Sequence, residues 1–147
     1  MYSGISPPWG EGMVAICSVD HDLASRSMLR LDELCEACFV AFDKDLTIRR
    51  EIDRALAESG AAANVTMEFD NIETIKRAVE IGVSVSLLPE PTVQRELQLG
   101  SLAAVPLSPF PDGAPLVRPL GIIHRRGTHL TRTARRLIES LQTSTQE

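Results

Sequence analysis

Residues 68–89 carry the clearest pattern of hydrophobic and polar positions in the chain. Apolar residues recur at helical spacing from Ile72 onward, and Asp70 is predicted to cap this helix with Glu73 reaching back to it. After Gly82, which is predicted to end the helix, apolar residues alternate with serines until a proline closes the strand. A strand, a helix and a second strand this closely spaced predict a βαβ unit with parallel pairing.

The rest of the sequence continues the alternation of strands and helices. Residues 38–42 are continuously apolar, as expected for a strand buried inside a parallel sheet. Thr47 is the predicted N-cap of the helix that follows and Gly60 its end, while Thr131 is predicted to cap the last helix. By the same reasoning we predict further strands at residues 13–18, 65–69, 83–89, 102–105 and 120–124, and further helices at 31–34 and 91–99. This order of elements predicts the α/β fold class.

Composition and charge narrow the classes of function. A chain of 147 residues, with 44% hydrophobic and 24% charged residues, has the size and balance of one globular domain. The net charge of -5 argues against nucleic acid as a direct partner, because neutralising phosphates requires clustered lysines and arginines. The charge is uneven, since residues 1–70 hold thirteen acids and six bases whereas residues 71–147 hold seven acids and nine bases. We interpret the arginines near the carboxyl terminus as a solvated strand end and an outer helix face.

Targeting signals and cysteine usage bear on location. No apolar run approaches the ~20 residues that cross a bilayer, and the amino terminus lacks a basic segment followed by an apolar stretch. A cytoplasmic location without membrane contact is therefore expected. Cys17, Cys35 and Cys38 are an odd number without a disulfide ladder, which suits a reducing compartment. Cys35 and Cys38 lack the two further ligands of a zinc site, so no metal is expected.

A search for catalytic motifs finds none of the familiar kinds. The sequence has no phosphate-binding glycine loop, no Gly-x-Ser-x-Gly and no His-Glu-x-x-His, and its histidines lack the carboxylate spacing of a relay. Asp43, Asp45 and Asp70 could act as paired carboxylates in acid and base chemistry. Each also has a structural role available, Asp70 as a helix cap and the other two in a polar turn. We therefore expect neither an enzyme nor a cofactor.

The predicted architecture offers a ligand-binding site of a known physical type. In open parallel sheets, ligands lie beyond the carboxyl ends of the strands, where helix amino ends present unpaired amides. Two such places are predicted, at residues 42–47 and 69–71. Lys44, the hydroxyl of Thr47 and the amides that follow it could hold a small anion. Nearby aspartates oppose a strongly anionic ligand, so a ligand with amino or hydroxyl groups is equally allowed.

Several segments of the chain resemble a known family. They are residues 13–24 (MVAICSVDHDLA), 39–57 (FVAFDKDLTIRREIDRALA) and 68–91 (EFDNIETIKRAVEIGVSVSLLPEP), with an ending from Gly121 (GIIHRRGTHLTRTARRLIESL) that looks like the family's final strand and helix. In this order they resemble the effector-binding, or substrate-binding, domain of LysR-type transcriptional regulators. The resemblance covers nearly the whole chain.

The resemblance implies a domain plan. Members of the family carry an N-terminal winged helix-turn-helix that binds DNA, a linker helix, and two α/β subdomains of the periplasmic-binding-protein type II fold. This chain is expected to be truncated, without the DNA-binding domain, the linker and most of the first subdomain. We expect an irregular lead-in (residues 1–12), one complete α/β subdomain (13–115), the strand and helix that return to the other subdomain (116–142), and a disordered tail (143–147).

The resemblance also implies a site and partners. The expected partners are a small-molecule metabolite effector, a homo-oligomer or a full-length relative, and DNA only through the absent helix-turn-helix. Three other interpretations stay open: a free-standing solute-binding domain, a small α/β enzyme, and a fragment that pairs with a full-length regulator. One wall of the effector cleft is expected to be formed by Phe42, Asp43, Lys44, Asp45, Leu46, Thr47, Asp70 and Asn71.

Overall fold

The computed structural model describes residues 2–5, 10–110 and 113–143, which form alternating strands and helices. The predicted α/β class is confirmed. Short 3-10 helices occur at Asp22–Ser25, Leu31–Glu36 and Glu90–Val93. The strands are β1 (Tyr2–Ile5), β2 (Gly10–Cys17), β3 (Cys38–Phe42), β4 (Asn64–Phe69), β5 (Ser84–Pro89), β6 (Ala103–Pro106), β7 (Val117–Pro119) and β8 (Ile122–Arg125), and the helices are α1 (Thr47–Glu58), α2 (Ile72–Glu80), α3 (Gln94–Leu99) and α4 (Arg132–Thr143).

The chain divides into two compact units. The larger unit is Gly12–Arg118, and the smaller unit combines Met1–Glu11 with Pro119–Glu147. The larger unit contains every helix except α4. The predicted assignment of residues 13–115 and 116–142 to two subdomains stays a prediction.

A mixed sheet organises the larger unit. Its strands follow the order β4-β3-β5-β2-β6, and β7 pairs with β2. β3 is parallel to both β4 and β5, whereas β2 is antiparallel to β5 and β6. The predicted βαβ unit therefore has parallel strands, but β3 lies between β4 and β5 instead of the two pairing directly. β3 can take this interior position because its residues are continuously apolar. As a result, its side chains are buried along nearly its whole length.

The core of the larger unit is mainly aliphatic. Val40 of β3 and Val85 of β5 are fully buried, and Ile75 and Val79 place the apolar face of α2 against these strands. The apolar positions that the sequence assigned to this helix therefore face the sheet. Ile52 similarly directs α1 into the core.

Ser84 and Ser86 differ from the sequence expectation. The predicted strand alternates apolar residues with these serines, a pattern typical of a half-buried strand, yet every residue of β5 is buried. Val83, expected to begin the strand, is instead 71% exposed just before it. Ser86 is accommodated because its hydroxyl donates a 2.7 Å hydrogen bond to the carbonyl of Val40, which pairs two buried polar groups with each other.

The amino terminus also departs from the predicted irregular lead-in. Tyr2–Ile5 forms β1, which pairs antiparallel with β8, and β2 begins at Gly10. Residues 1 and 6–9 lie outside the described residues. Local glycines and prolines suggested irregular backbone, but pairing with a strand more than a hundred residues away supplies hydrogen bonds that local sequence does not reveal.

The smaller unit consists of the β1–β8 ribbon and α4. The prediction that Thr131 caps the last helix is confirmed, since its hydroxyl accepts a 3.2 Å hydrogen bond from the amide of Ala134. Leu137 of α4 is 60% exposed, and no residue among 119–143 is buried. The predicted disordered tail is wrong at Thr143, which ends α4, and residues 144–147 lie outside the described residues.

The buried hydroxyl of Ser86 gives a direct test of the sheet. Ser86→Ala is expected to lower the free energy of unfolding by about 1–2 kcal/mol, because the carbonyl of Val40 loses its partner in the core. Ser27→Ala, at an exposed position, is the matched control and should change stability by less than about 0.5 kcal/mol. Urea unfolding followed by circular dichroism measures both. Equal effects of the two substitutions would contradict the buried position of Ser86.

Candidate functional site

The carboxyl ends of β3, β4 and β5 lie along one edge of the sheet, because all three strands run in the same direction. We call the segments that leave these ends, residues 42–47, 69–71 and 89–93, the carboxyl edge. The first two segments are the places that the sequence predicted for a ligand. The structure joins them, since the amide of Asp43 donates a 3.0 Å hydrogen bond to the carbonyl of Phe69.

The loop that leaves β3 is a tight turn. The amide of Leu46 donates to the carbonyl of Asp43 at 3.1 Å, which closes residues 43–46 into a compact segment. We call residues 43–46 the edge loop. Phe42, just before it, is 3% exposed, so its side chain belongs to the core and not to the surface of the site.

The polar side chains of the edge loop are accessible to different extents. Lys44 and Asp45 are exposed, as is Thr47 just after the loop, whereas Asp43 is half-buried. The Lys44 ammonium lies 3.8 Å from Oε1 of Glu68, a loose contact for a side chain that is 75% exposed. An exposed pair at this distance contributes little to stability, so Lys44 is free to meet a ligand.

The amino end of α1 carries no side-chain cap. The N-cap residue is Leu46, whose side chain makes no capping hydrogen bond. Thr47, the predicted N-cap, is instead the first helical residue, and its hydroxyl accepts a 3.2 Å hydrogen bond from Arg50. The prediction was wrong because the edge loop closes at Leu46, which places the extended cap conformation one residue earlier. No side chain therefore competes with a ligand for the first amides of α1.

The amino end of α2 is closed. Asn71 is its N-cap, and the side-chain oxygen accepts hydrogen bonds from the amides of Glu73 at 2.8 Å and Thr74 at 3.2 Å. The prediction that Asp70 caps this helix with Glu73 reaching back was wrong: Asp70 is exposed, and Glu73 pairs with Lys76 at 2.7 Å. Of the two helix starts at the carboxyl edge, that of α1 is the one whose N-cap residue makes no side-chain capping hydrogen bond.

Arg49, which lies on α1 next to the carboxyl edge, is a residue that the sequence predictions missed. Its side chain is 8% exposed, and Nη1 donates a 2.6 Å hydrogen bond to the carbonyl of Phe42. Nε lies 3.0 Å from both carboxylate oxygens of Asp53, and Nη1 lies 3.5 Å from Oε1 of Glu68. The signal was available, because Arg49 stands three residues before Ile52 and so shares the buried face of α1.

Lys76 is a second buried cation near this edge. Its ammonium lies 2.7 Å from Glu73 and 2.9 Å from Glu96, and it donates a 3.1 Å hydrogen bond to the carbonyl of Thr92. Burial opposes the charge of Lys76, but the two carboxylates outweigh it and raise the pKa of its ammonium. Burial likewise opposes the charge of Glu96, and the bond to Lys76 holds the pKa of that carboxyl below its usual value. Lys76 thereby fastens α2 to the segment that follows β5.

Metal-binding clusters, thiols and membrane-spanning helices were also sought among the described residues. Among residues 2–5, 10–110 and 113–143, no three His, Cys, Asp or Glu side chains are grouped to hold a metal ion. Burial raises the pKa of the Cys17 thiol, Cys35 is exposed, Cys38 is half-buried, and all three are free thiols. No helix in this part of the chain is long and apolar enough to cross a membrane.

Cavities elsewhere in the larger unit include two beside the 3-10 helix Leu31–Glu36. One of about 280 Å³ is bounded by Arg30, Ser59 and Phe110, and one of about 340 Å³ by Arg26 and Cys35 among others. Neither is lined by a predicted effector residue.

Comparison with known proteins supplies the decisive observation. The sequence model of the LysR substrate binding domain matches residues 7–146. The chain belongs to the LysR substrate-binding domain family. Its relatives include the uncharacterized HTH-type transcriptional regulator YeiE of Escherichia coli K12, 30% identical over 135 residues. They also include the RuBisCO operon transcriptional regulator of Allochromatium vinosum, 29% identical over 122 residues.

The LysR-type relatives are longer than this chain. The matches cover 92% of this chain but 45% of YeiE, and 83% of this chain but 39% of the Allochromatium regulator. The chain therefore spans less than half the length of these two relatives. Both are transcriptional regulators, so the solute-binding and enzyme interpretations are not favoured.

Solved structures place the chain in the fold of LysR regulatory domains. The Synechocystis CcmR regulatory domain in complex with 2-PG matches with a TM-score of 0.77 and 22% identity, over 99% of this chain and 66% of that one. The effector binding domain of QuiR in complex with shikimate matches with a TM-score of 0.75 and 13% identity, over 94% of this chain and 62% of that one. The predicted periplasmic-binding-protein type II-like fold is confirmed.

Replacing Asn71 tests whether its side chain caps the amino end of α2. Asn71→Ala should lower the free energy of unfolding by about 1 kcal/mol, because two amides lose their acceptor. Asp70→Ala, one residue earlier and exposed, should change it by less than about 0.5 kcal/mol. Urea denaturation of both variants provides the comparison. A larger loss of stability in the Asp70 variant than in the Asn71 variant would show that Asp70 is the cap.

The Lys76–Glu96 pair predicts a dependence of stability on pH. The lowered pKa of Glu96 means that its stabilising contribution is present at neutral pH and is lost as pH falls through that pKa. The wild-type protein should therefore be more stable than Glu96→Gln near neutral pH, with the difference shrinking below about pH 4. Urea unfolding across this pH range measures the difference. Glu51→Gln, in an exposed pair with Arg54, is the control and should differ little from wild type at neutral pH.

Proposed function

We propose that this chain is the small-molecule effector-binding domain of a LysR-type transcriptional regulator. The observation that carries the proposal is the carboxyl edge. There the accessible edge loop adjoins the start of α1, where the N-cap side chain makes no capping hydrogen bond. Family membership and the effector complexes of structural neighbours support it. The proposed effector residues are Phe42, Asp43, Lys44, Asp45, Leu46, Thr47, Asp70 and Asn71.

These residues have different roles in the proposal. Lys44, the hydroxyl of Thr47 and the first amides of α1 would meet an anionic or hydroxyl group of the effector. Asp45 and Asp70, both exposed, would accept hydrogen bonds from hydroxyl or amino groups. Phe42 would act through the backbone, because its side chain is buried. The combination favours a small metabolite that carries several polar groups.

Regulation of transcription requires parts of the relatives that lie outside the matched region. We propose that DNA contact is made by a helix-turn-helix domain, since the relative YeiE is an HTH-type regulator. Residues 13–115 would form one wall of the effector cleft, and 116–142 would belong to the other subdomain. Self-association or pairing with a full-length relative, a cytoplasmic location and the absence of catalysis also belong to the proposal.

Thermal-shift screening tests effector binding directly. The full chain is screened with small polar metabolites, including 2-PG and shikimate, and at least one should raise the Tm. A ligand at a hundredfold excess over its Kd adds about 2.7 kcal/mol, enough for a shift of several degrees. For that metabolite, Lys44→Ala should weaken binding by about tenfold, because a charge-assisted hydrogen bond is lost.

Arg77→Ala is the matched control for this measurement. Arg77 is another exposed cation, but it pairs with Glu80 on α2 and away from the edge loop. Its removal should leave the ligand-induced shift unchanged. If no metabolite stabilises the folded chain, or if the Lys44 and Arg77 variants bind equally well, the proposed site is wrong.

A further inference from the structure

We propose that Arg49 is the positioning residue of the effector site, holding the edge loop and the open end of α1 in their binding conformation. The inference rests on the proposed function, because that function makes the edge loop part of a binding site. The contacts of Arg49 themselves involve no ligand. Arg49 would not touch the effector. It would act through the backbone of Phe42, the residue from which the edge loop departs.

The contacts of Arg49 tie three elements together at one point. The residue itself belongs to the first turn of α1, its Nη1 holds the last carbonyl of β3, and the same nitrogen lies 3.5 Å from Glu68 on β4. The planar guanidinium can serve these partners together because its donors have a fixed fork geometry. The bond to Phe42 holds the carbonyl that immediately precedes the edge loop.

The carbonyl of Phe42 depends on this side chain. The pairing between β3 and β5 ends at Phe39 and Val85, so β5 does not extend the ladder to Phe42. The amide of Asp43 belongs to the same peptide group and donates to Phe69 of β4, so the carbonyl of Phe42 points away from β4. The Arg49 guanidinium therefore supplies a donor at the end of the strand, where a buried carbonyl without one would be unfavourable.

The charge of Arg49 also determines what Lys44 can do. Arg49 lies against two carboxylates, Asp53 and Glu68, and Glu68 is the residue that Lys44 approaches at 3.8 Å. With Arg49 in place, Glu68 is already partly neutralised, and Lys44 stays loosely held. Without Arg49, Glu68 would draw Lys44 toward itself and away from a ligand.

A purely structural role for Arg49 makes a different prediction. Arg49 and Asp53 are an i,i+4 pair on α1, and this pair alone would stabilise the helix without positioning the loop. Asp53→Asn separates the two roles, because it weakens the pair but leaves the bond to Phe42. Arg49→Met removes both, and Arg49→Lys keeps a cationic donor group but loses the fork of the guanidinium.

Amide hydrogen exchange of the full chain, without ligand, provides the test. In Arg49→Met, the amides of Asp43 and Leu46 should exchange at least about tenfold faster, while those of Leu87 and Leu88 in the core stay protected as in wild type. Asp53→Asn should leave exchange in the edge loop within about twofold of wild type. Arg49→Lys should give intermediate exchange, which also supplies a folded variant if the methionine variant loses its core protection.

Two results would overturn the proposal. One is faster loop exchange in Asp53→Asn equal to that in the Arg49 variants, which would assign the effect to the helix pair. The other is wild-type loop exchange in both Arg49 variants. Since no ligand enters this measurement, its outcome is separate from the metabolite screen, and either proposal can fail alone.

Discussion

The parallel pairing of β3 with both β4 and β5 is the constraint on which the rest of the structure depends. It places three strand ends at one edge of the sheet and brings distant polar segments together there. The pairing in turn depends on burial, because an interior strand of this kind needs apolar side chains along its whole length. Cys38–Phe42 meets that requirement, and the edge loop follows at once.

Buried cations complete the edge that the strands begin. Arg49 holds the carbonyl of Phe42 beside β3, and Lys76 holds the carbonyl of Thr92 beyond β5. Each is surrounded by carboxylates, which offset the unfavourable burial of charge. The two side chains link α1 and α2 to the segments at the strand ends. The contacts of these two cations therefore hold the segments of the carboxyl edge in place next to the aliphatic core.

The two helix starts at the edge differ in how their first amides are capped. The side chain of Asn71 accepts hydrogen bonds from two of the first amides of α2, whereas α1 begins at a leucine that offers no side-chain acceptor. A stable helix end and a binding-competent one impose opposite requirements, because a cap occupies the donors that a ligand would use.

The sequence by itself determined the fold class, most strand and helix positions, two of the three segments at the carboxyl edge and the family. Periodic apolar residues such as Ile75 and Val79 specify these features locally, and side-chain burial then confirms them. Only the tertiary structure decided that β3 separates β4 from β5, that Ser86 is buried, that Tyr2–Ile5 is a strand, and that Asn71 replaces Asp70 as the cap. The first three depend on partners far away in the chain, and the cap depends on one residue of backbone conformation. Arg49 belongs to both groups, since its position on the buried face of α1 was visible in the sequence whereas its partners were not.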